Sequence, residues 1–400
     1  MTKRLLEESI SAFSSVSRLR VGPSRASKTY DVAIVGAGPA GALAALVLAR
    51  AGRRVVLIDA RPGSEQGSPF RIGESLPPAG GRLLASLGLR ALLDRGGHLP
   101  SRGNLIAWGS SELHAVDSIR DPEGAGWHLD RARFDLDLRA AAFAAGATWL
   151  PARFERLERV GGADAGVPRG WELTCSGAGG PARVRATLVL DASGRQALVA
   201  RQAGALRTRD DDWTAVYSWH RPARGDRDTR TLVEACALGW WYTSLLPCGA
   251  RVAALHADAA TAREILRSRE RWKQALSETV HLRRLVDPAR ALRDPARARL
   301  GPTRGAEASG ARLDRFSGAG WIAAGDAALS FDPLSSQGIF NALYTGMKAA
   351  EALLAALSME DSSQLDAYDR RLEEIRAIYM RRRQLIYAQE TRFDWVGRIA

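Results

Sequence analysis

The sequence predicts an α/β fold: a Rossmann-like dinucleotide-binding domain interleaved with an antiparallel sheet, with helices at the C-terminal end. Three observations predict it. A short β-branched run, Asp31-Val32-Ala33-Ile34-Val35, passes through a glycine loop into an Ala/Leu-rich helix that ends near Gly52. Short Trp- and Val-containing runs separated by turns fill 103–129 and 213–257, the pattern of an antiparallel sheet. A buried strand returns at 320–324 and leads to a long helix over 337–357.

Composition sets the outer bounds. The chain has 400 residues, 46% of them apolar and 25% charged, which excludes disorder as the main state and allows two to four domains. Mean hydropathy is −0.18, and no apolar run approaches the ~20 residues of a spanning helix. The three cysteines (Cys175, Cys236, Cys248) form no CxxC and no ligand cluster. A disulfide scaffold and a metal site are therefore not expected, and a reducing, cytoplasmic location is. The net charge is +13, carried almost wholly by arginine; the lysines are Lys3, Lys28, Lys273 and Lys348. The arginines are interspersed with acids, which favours a solvated basic surface over a nucleic-acid partner.

Residues 1–29 form an N-terminal extension, with Leu6, Ile10, Phe13 and Leu19 near helical spacing and no secretory-signal pattern. The dinucleotide-binding domain is expected to take 30–102, 130–212 and 300–360, and the substrate domain 103–129 and 213–299. A C-terminal helical segment takes 361–400. Arg54–Asp59 is the strand that completes a βαβ unit. Gly-rich stretches at 161–170 and 176–181 read as hairpin turns, and 261–285 as a helical or loop excursion. Gln364 to about Gln389 is a charged amphipathic helix.

The loop after the first strand is Gly36-Ala37-Gly38-Pro39-Ala40-Gly41, a GxGxxG pattern. Its first glycine allows the turn, its second lets backbone approach a pyrophosphate, and its third allows close helix–strand packing. Asp59 ends the second strand, where a carboxylate can accept from a ribose diol; Ala60 and Arg61 beside it are counted in the same site. Gly325-Asp326 follows the strand at Trp321, and Asp332-Pro333-Leu334-Ser335-Ser336-Gln337-Gly338-Ile339 leads into the next helix. These segments resemble the second flavin fingerprint of the glutathione-reductase-type FAD monooxygenases. The resemblance implies FAD, with Asp326 on the ribityl chain and Pro333, Gln337, Gly338 and Ile339 beside the isoalloxazine ring. Asp191, in Leu188-Val189-Leu190-Asp191-Ala192-Ser193-Gly194, resembles the family's middle motif near the cofactor. Arg131 resembles its arginine-led helix start.

Gly73-Glu74-Ser75-Leu76-Pro77-Pro78 resembles a segment of the tryptophan-halogenase-like branch. Together with Gly239-Trp240-Trp241-Tyr242-Thr243-Ser244-Leu245-Leu246-Pro247, it is most similar to the flavoproteins that mature tryptophylquinone-containing amine oxidases and dehydrogenases. The resemblance covers roughly 30–390. Asp59 stands where Glu is more usual, and Ser336 where Gly is common. Halogenases of this branch use a lysine in the flavin half of the chain, and none lies between Lys28 and Lys273. Arginine has no neutral nitrogen to replace it.

The resemblance therefore implies an FAD monooxygenase that uses NAD(P)H and O₂, through a C4a-hydroperoxide, to hydroxylate a tryptophan within a partner polypeptide. The alternatives are a halogenase or small-molecule hydroxylase, and a non-catalytic assembly factor. Glu74 is the expected catalytic carboxylate, orienting an indole N–H or relaying a proton. Trp240, Trp241 and Tyr242 alternate faces on a strand, and Trp241 is the expected pocket aromatic. Arg370, Arg371, Arg381, Arg382 and Arg383 on the last helix are expected to steer an acidic partner.

Overall fold

A computed structural model describes residues 29–60, 72–118, 124–161, 170–178, 180–291, 304–359 and 363–398. Arg61 and the N-terminal extension up to residue 28 lie outside the described residues, as does most of the expected turn at 161–170.

β1 (Thr29–Val35) runs into α1 (Pro39–Arg50), which returns as β2 (Val55–Ile58), the expected βαβ unit. β3 (Ser75–Leu76), α2 (Pro78–Ser86), α3 (Ala91–Arg95), β4 (Leu99–Ser101), β5 (Gly103–Ala107), β6 (His114–Asp117) and β7 (Gly126–His128) follow. Next come α4 (Arg131–Ala144), β8 (Thr148–Leu150), β9 (Ala152–Val160), β10 (Gly170–Gly177) and β11 (Gly180–Asp191). α5 (Leu198–Gln202) and β12 (Arg207–Arg209) lead to β13 (Thr214–Pro222), β14 (Thr231–Cys236), β15 (Gly239–Leu245) and β16 (Arg251–Ala257). The excursion is helical: α6 (Ala259–Arg267), α7 (Arg269–Ser277) and α8 (Leu282–Leu285). β17 (Val286–Ala291), β18 (Arg304–Glu307), β19 (Ala311–Leu313), β20 (Ser317–Gly318), β21 (Trp321–Ala323) and β22 (Leu329–Ser330) precede the long helices α9 (Gly338–Met359) and α10 (Ser363–Tyr387).

The first sheet has the order β20-β21-β11-β1-β2-β8, and its core from β21 to β8 is parallel. β11 is long enough to serve twice. Its first half pairs antiparallel with β10 through the expected hairpin at Gly177–Gly180, and its second half enters the parallel sheet. α1 packs on β1 and β2 of this sheet, and α9 packs on α1. α1 is buried nearly all round, which its Ala, Gly and Leu content permits. A Cβ at Gly346 of α9 would lie 2.4 Å from the Ala40 carbonyl oxygen, so glycine is what lets the two helices touch.

The second sheet has the order β17-β13-β16-β15-β14-β5-β6, with β18 also on β13. It is antiparallel except for the β14–β5 pair. Its far face packs on α6 and α7, where Trp241 meets Trp272 at 5.0 Å.

Two short stretches sit elsewhere than expected. Gly126–His128 pairs with β3 and β4 rather than with the 103–117 hairpin, because Trp127 packs over Gly81 and under the Arg90 guanidinium. Arg304–Glu307 joins the second sheet on the edge of β13. Strands of three or four residues carry too little pattern to choose a partner. Among the described residues, no helix is long and apolar enough to cross a membrane.

Candidate flavin site and its buried carboxylate

The glycine loop shows why each glycine is there. Gly36 has φ +106°, and a Cβ on it would lie 2.2 Å from the Ala192 carbonyl oxygen. A Cβ on Gly41 would lie 1.9 Å from the Gly36 carbonyl oxygen. Gly38 differs: its backbone is extended (φ −75°), and a Cβ would meet nothing within 4 Å. Nothing in the protein itself requires glycine at 38. The open space before α1 does, if a ligand's phosphates approach the backbone there. No side chain caps α1, Pro39 opens it, and its first turn holds no acid. Such a terminus leaves N–H groups and a partial positive charge for an anion. The residues therefore fit a dinucleotide pyrophosphate.

Asp59 is brought to this loop at the end of β2. Its Oδ2 accepts from the Ala37 N–H at 2.8 Å. Ala60 beside it is exposed.

The second motif meets the first. Gly325 (φ +63°) lies against Ala40, and its N–H donates to Thr345 Oγ1 on α9 at 2.8 Å. Asp326 is half-buried, with the Arg195 guanidinium 3.6 Å away. Asp332 Oδ1 caps the following turn by accepting from the Leu334 N–H at 2.9 Å. Ser336 sits in the left-handed region (φ +52°, ψ +22°), the conformation for which glycine is the usual residue. Pro333 and Gln337 are half-buried and Ile339 is buried. Gly338 is exposed, and a Cβ there would meet nothing within 4 Å.

Asp191 requires correction. Its turn does lie against the glycine loop through Ala192, but its carboxylate is fully buried and turned inward. It accepts from the Ser193 N–H and hydroxyl and, at 2.8 Å each, from the Val199 and Ala200 N–H groups that open α5. Burial pushes its pKa up, against those four bonds. This is a helix cap with no oxygen turned to a ligand. Arg131 also acts at one remove: Nη1 donates to the Gly73 carbonyl at 2.5 Å and Nε pairs with Asp135 at 3.3 Å, which anchors the turn that carries Glu74.

Glu74 is buried at 2% exposure. Its Oε1 accepts hydrogen bonds from the Tyr242 hydroxyl and, at 2.8 Å, from the Ser244 hydroxyl. Oε2 has no hydrogen-bond partner among the described residues. Tyr242 Oη also lies 3.3 Å from Ser75 Oγ, which is 3.5 Å from His128 Nδ1. His128 Nε2 lies 2.9 Å from the Thr229 carbonyl, so it donates there and Nδ1 is the acceptor. Burial, with Glu74 beside it, holds the Tyr242 phenol well above its ordinary pKa and therefore protonated. Burial lowers the pKa of His128 and keeps it neutral.

Trp241 is the second correction. Alternation along β15 sends Tyr242 and Ser244 to the Glu74 side and Trp241 to the other, where it is buried against Trp272. The face that meets the carboxylate is thus the one not chosen. The residues missed by sequence reasoning are Ser244, Ser75 and His128. Period-two spacing from Tyr242 would have found Ser244; the other two come from separate strands.

A glycine cradle, an uncapped helix terminus and a glycine–aspartate turn packed against α9 define a flavoprotein, an FAD-dependent oxidoreductase. The chain belongs to the FAD-binding-domain family, whose model matches residues 29–382. It is 30% identical over 336 residues to LodB of Marinomonas mediterranea, described as an FAD-dependent oxidoreductase, covering 82% of this chain and 85% of that protein. Among solved structures, it resembles the myxobacterial chondrochloren halogenase CndH with a TM-score of 0.78 and 24% identity, covering 91% of this chain and 84% of that one. It also resembles QhpG, a peptidyl tryptophan dihydroxylase essential for tryptophylquinone cofactor biogenesis. There the TM-score is 0.69 at 24% identity, covering 91% of this chain and 76% of that one.

Proposed function

We propose that this enzyme hydroxylates a tryptophan side chain held within a partner polypeptide, on the way to a quinone cofactor. The observation that carries oxygenation over halogenation is the absence of lysine between Lys28 and Lys273. The likeness to QhpG, a peptidyl tryptophan dihydroxylase, supports a peptidyl substrate. Three unpaired cysteines fit a reducing, cytoplasmic setting.

Gly36–Gly41 would hold the FAD pyrophosphate on backbone N–H groups, Asp59 the ribose and Asp326 the ribityl chain. Pro333, Gln337, Gly338 and Ile339 would face the ring. Bound FAD supplies reduction by NAD(P)H and activation of O₂. The chain's own residues orient the substrate and exclude water. Tyr242 and Ser244 both bond Oε1 of Glu74, which fixes the carboxylate and leaves Oε2 to accept an indole N–H. Withdrawing that proton's positive charge makes the ring more electron-rich where oxygen is to arrive. The apolar surroundings of Ile72 and Tyr242 keep the region dry.

The test is intact-mass analysis of candidate tryptophan-containing polypeptides incubated with the holoenzyme, NAD(P)H and O₂. The expected result is a gain of oxygen on one tryptophan. Oxygenation of free tryptophan or small indoles with every polypeptide left unchanged would overturn the peptidyl reading.

A further inference from the structure

The buried face of α10 is not apolar. Tyr368, Leu372, Arg376, Tyr379, Arg383 and Tyr387 recur every three or four residues and so share one stripe. That stripe grips the second flavin motif at both ends. The Tyr368 hydroxyl donates to the Ala323 carbonyl at 2.7 Å, just before Gly325. Tyr379 stacks on Phe331 at 4.4 Å, and its hydroxyl accepts the Asp332 N–H at 2.8 Å. The Tyr387 hydroxyl donates to Asp332 Oδ2 at 2.6 Å. Arg383 lies 2.8 Å from Asp211 and 3.5 Å from Asp332, all three side chains at most 5% exposed. Arg376 makes two further bonds to Asp210.

Arg383 is therefore an internal group and not a steering charge. Arg371, another of the expected steering residues, pairs with Glu374. Two carboxylates around one buried guanidinium are a poor source of stability, since desolvation offsets most of the attraction. What the arrangement does supply is geometry. Within its own turn Asp332 caps Leu334, and its carbonyl accepts from the Ser335 hydroxyl at 2.8 Å; among the described residues, the other side chains that hold it come from α10.

We infer that α10 is the positioning element of the flavin-facing turn. Through Asp332, Tyr379, Arg383 and Tyr387 set where the first N–H groups of α9, at Gly338 and Ile339, stand against the cofactor. This rests on the reading that FAD lies against Pro333–Ile339. None of the three residues is catalytic; each acts through Asp332. A helix N-terminus aimed at the flavin favours the negative charge of its reduced form, so a loosened turn makes the flavin harder to reduce.

The experiment compares Tyr387→Phe, which removes one hydroxyl at constant shape, and Arg383→Met with the unmodified full chain. Gln384→Ala, on the exposed face, is the control. FAD affinity is measured by reconstituting the apoprotein, and the midpoint potential of the bound flavin by dye-equilibrium titration. Tyr387→Phe is expected to weaken FAD binding at least threefold and to lower the midpoint potential, while Gln384→Ala changes neither. Should Arg383→Met fail to fold, Tyr387→Phe decides alone. An unchanged potential in Tyr387→Phe overturns the proposal, even if affinity falls, because mere loosening of the fold lowers affinity without retuning the flavin. Gly38→Glu separates the two readings. If it keeps its FAD, the site assignment fails and the inference with it. If it loses FAD while Tyr387→Phe matches the unmodified protein, only the inference fails.

Discussion

The Tyr242 phenol donates a hydrogen bond to the Glu74 carboxylate across 168 residues of sequence. One partner stands on the turn anchored by Arg131, the other near the centre of β15. With the Ser244 hydroxyl on the same oxygen, that contact ties the turn before β3 to the second sheet and fixes a buried acid by one oxygen, while the other is unengaged among the described residues.

Replacing Tyr242 with Phe should leave Ser244 as the sole donor to Oε1. A hydrogen bond to a buried charged group contributes about 1.5–3 kcal/mol, so turnover on the polypeptide substrate should fall roughly tenfold or more. FAD content should not change. Single-turnover product formation beside the flavin absorbance of the purified variant checks both halves.

Gly38→Glu should abolish FAD retention and leave the fold intact. The new side chain enters open space in the protein and meets only the ligand's phosphates. A colourless protein with the unmodified apoprotein's melting temperature is the expected result; a yellow one refutes the cradle.

Excess bromide in the reaction should give oxygen gains only. The chain has no lysine between Lys28 and Lys273 to carry an active halogen. A brominated polypeptide or indole would restore the halogenase reading.

Ser336→Gly should stabilise the protein by about 0.5–1 kcal/mol. The left-handed conformation costs an L-residue about 1–2 kcal/mol, and the added freedom of glycine in the unfolded chain takes part of that back. The backbone bond from the Ser336 N–H to the Pro333 carbonyl is retained. Denaturant midpoints measure the difference.

His256 is buried in a stack with Trp240 at 3.8 Å, and burial pushes its pKa down to about 3. In the unfolded chain it titrates near 6.5. Between those values unfolding takes up a proton, so stability falls as pH drops below about 6.5, by up to about 1.4 kcal/mol per pH unit. His128, also lowered by burial, adds the same sign. His256→Phe keeps a stacked ring and should flatten the dependence of unfolding free energy on pH between 5 and 6.

Much of the geometry of the candidate cofactor site was legible because its signals are local. β1, the glycine loop and α1 are contiguous, and so are Gly325, Asp332 and the start of α9. Even the odd residue was informative: Ser336, read as a substitute for glycine, does occupy the glycine conformation. What escaped depends on partners far along the chain. Asp191 looks like a ligand until Val199 and Ala200 turn their N–H groups back to it. Alternation says that Trp241 and Tyr242 face opposite ways, but only the packing of α7 on one side and Glu74 on the other says which is which. The stripe on α10 was hidden by its polarity, since Arg383 reads as a steering charge on the surface until Asp211 and Asp332 are placed beside it.

The strand order of the first sheet bears on how the enzyme is made. β1 is synthesised near the start, yet its neighbour β11 ends at Asp191 and the next strand, β21, at Ala323. Until a ribosome has released that last strand, β11 has an open edge with apolar residues waiting to be covered. Tyr387 emerges later still, and Asp332 is not held before it does. Flavin loading is thus expected to be a post-translational event on the finished polypeptide, with the nascent chain relying on chaperones in the meantime. Ribosome-arrested chains stopped near residue 360 should bind no flavin, while chains extended past α10 should.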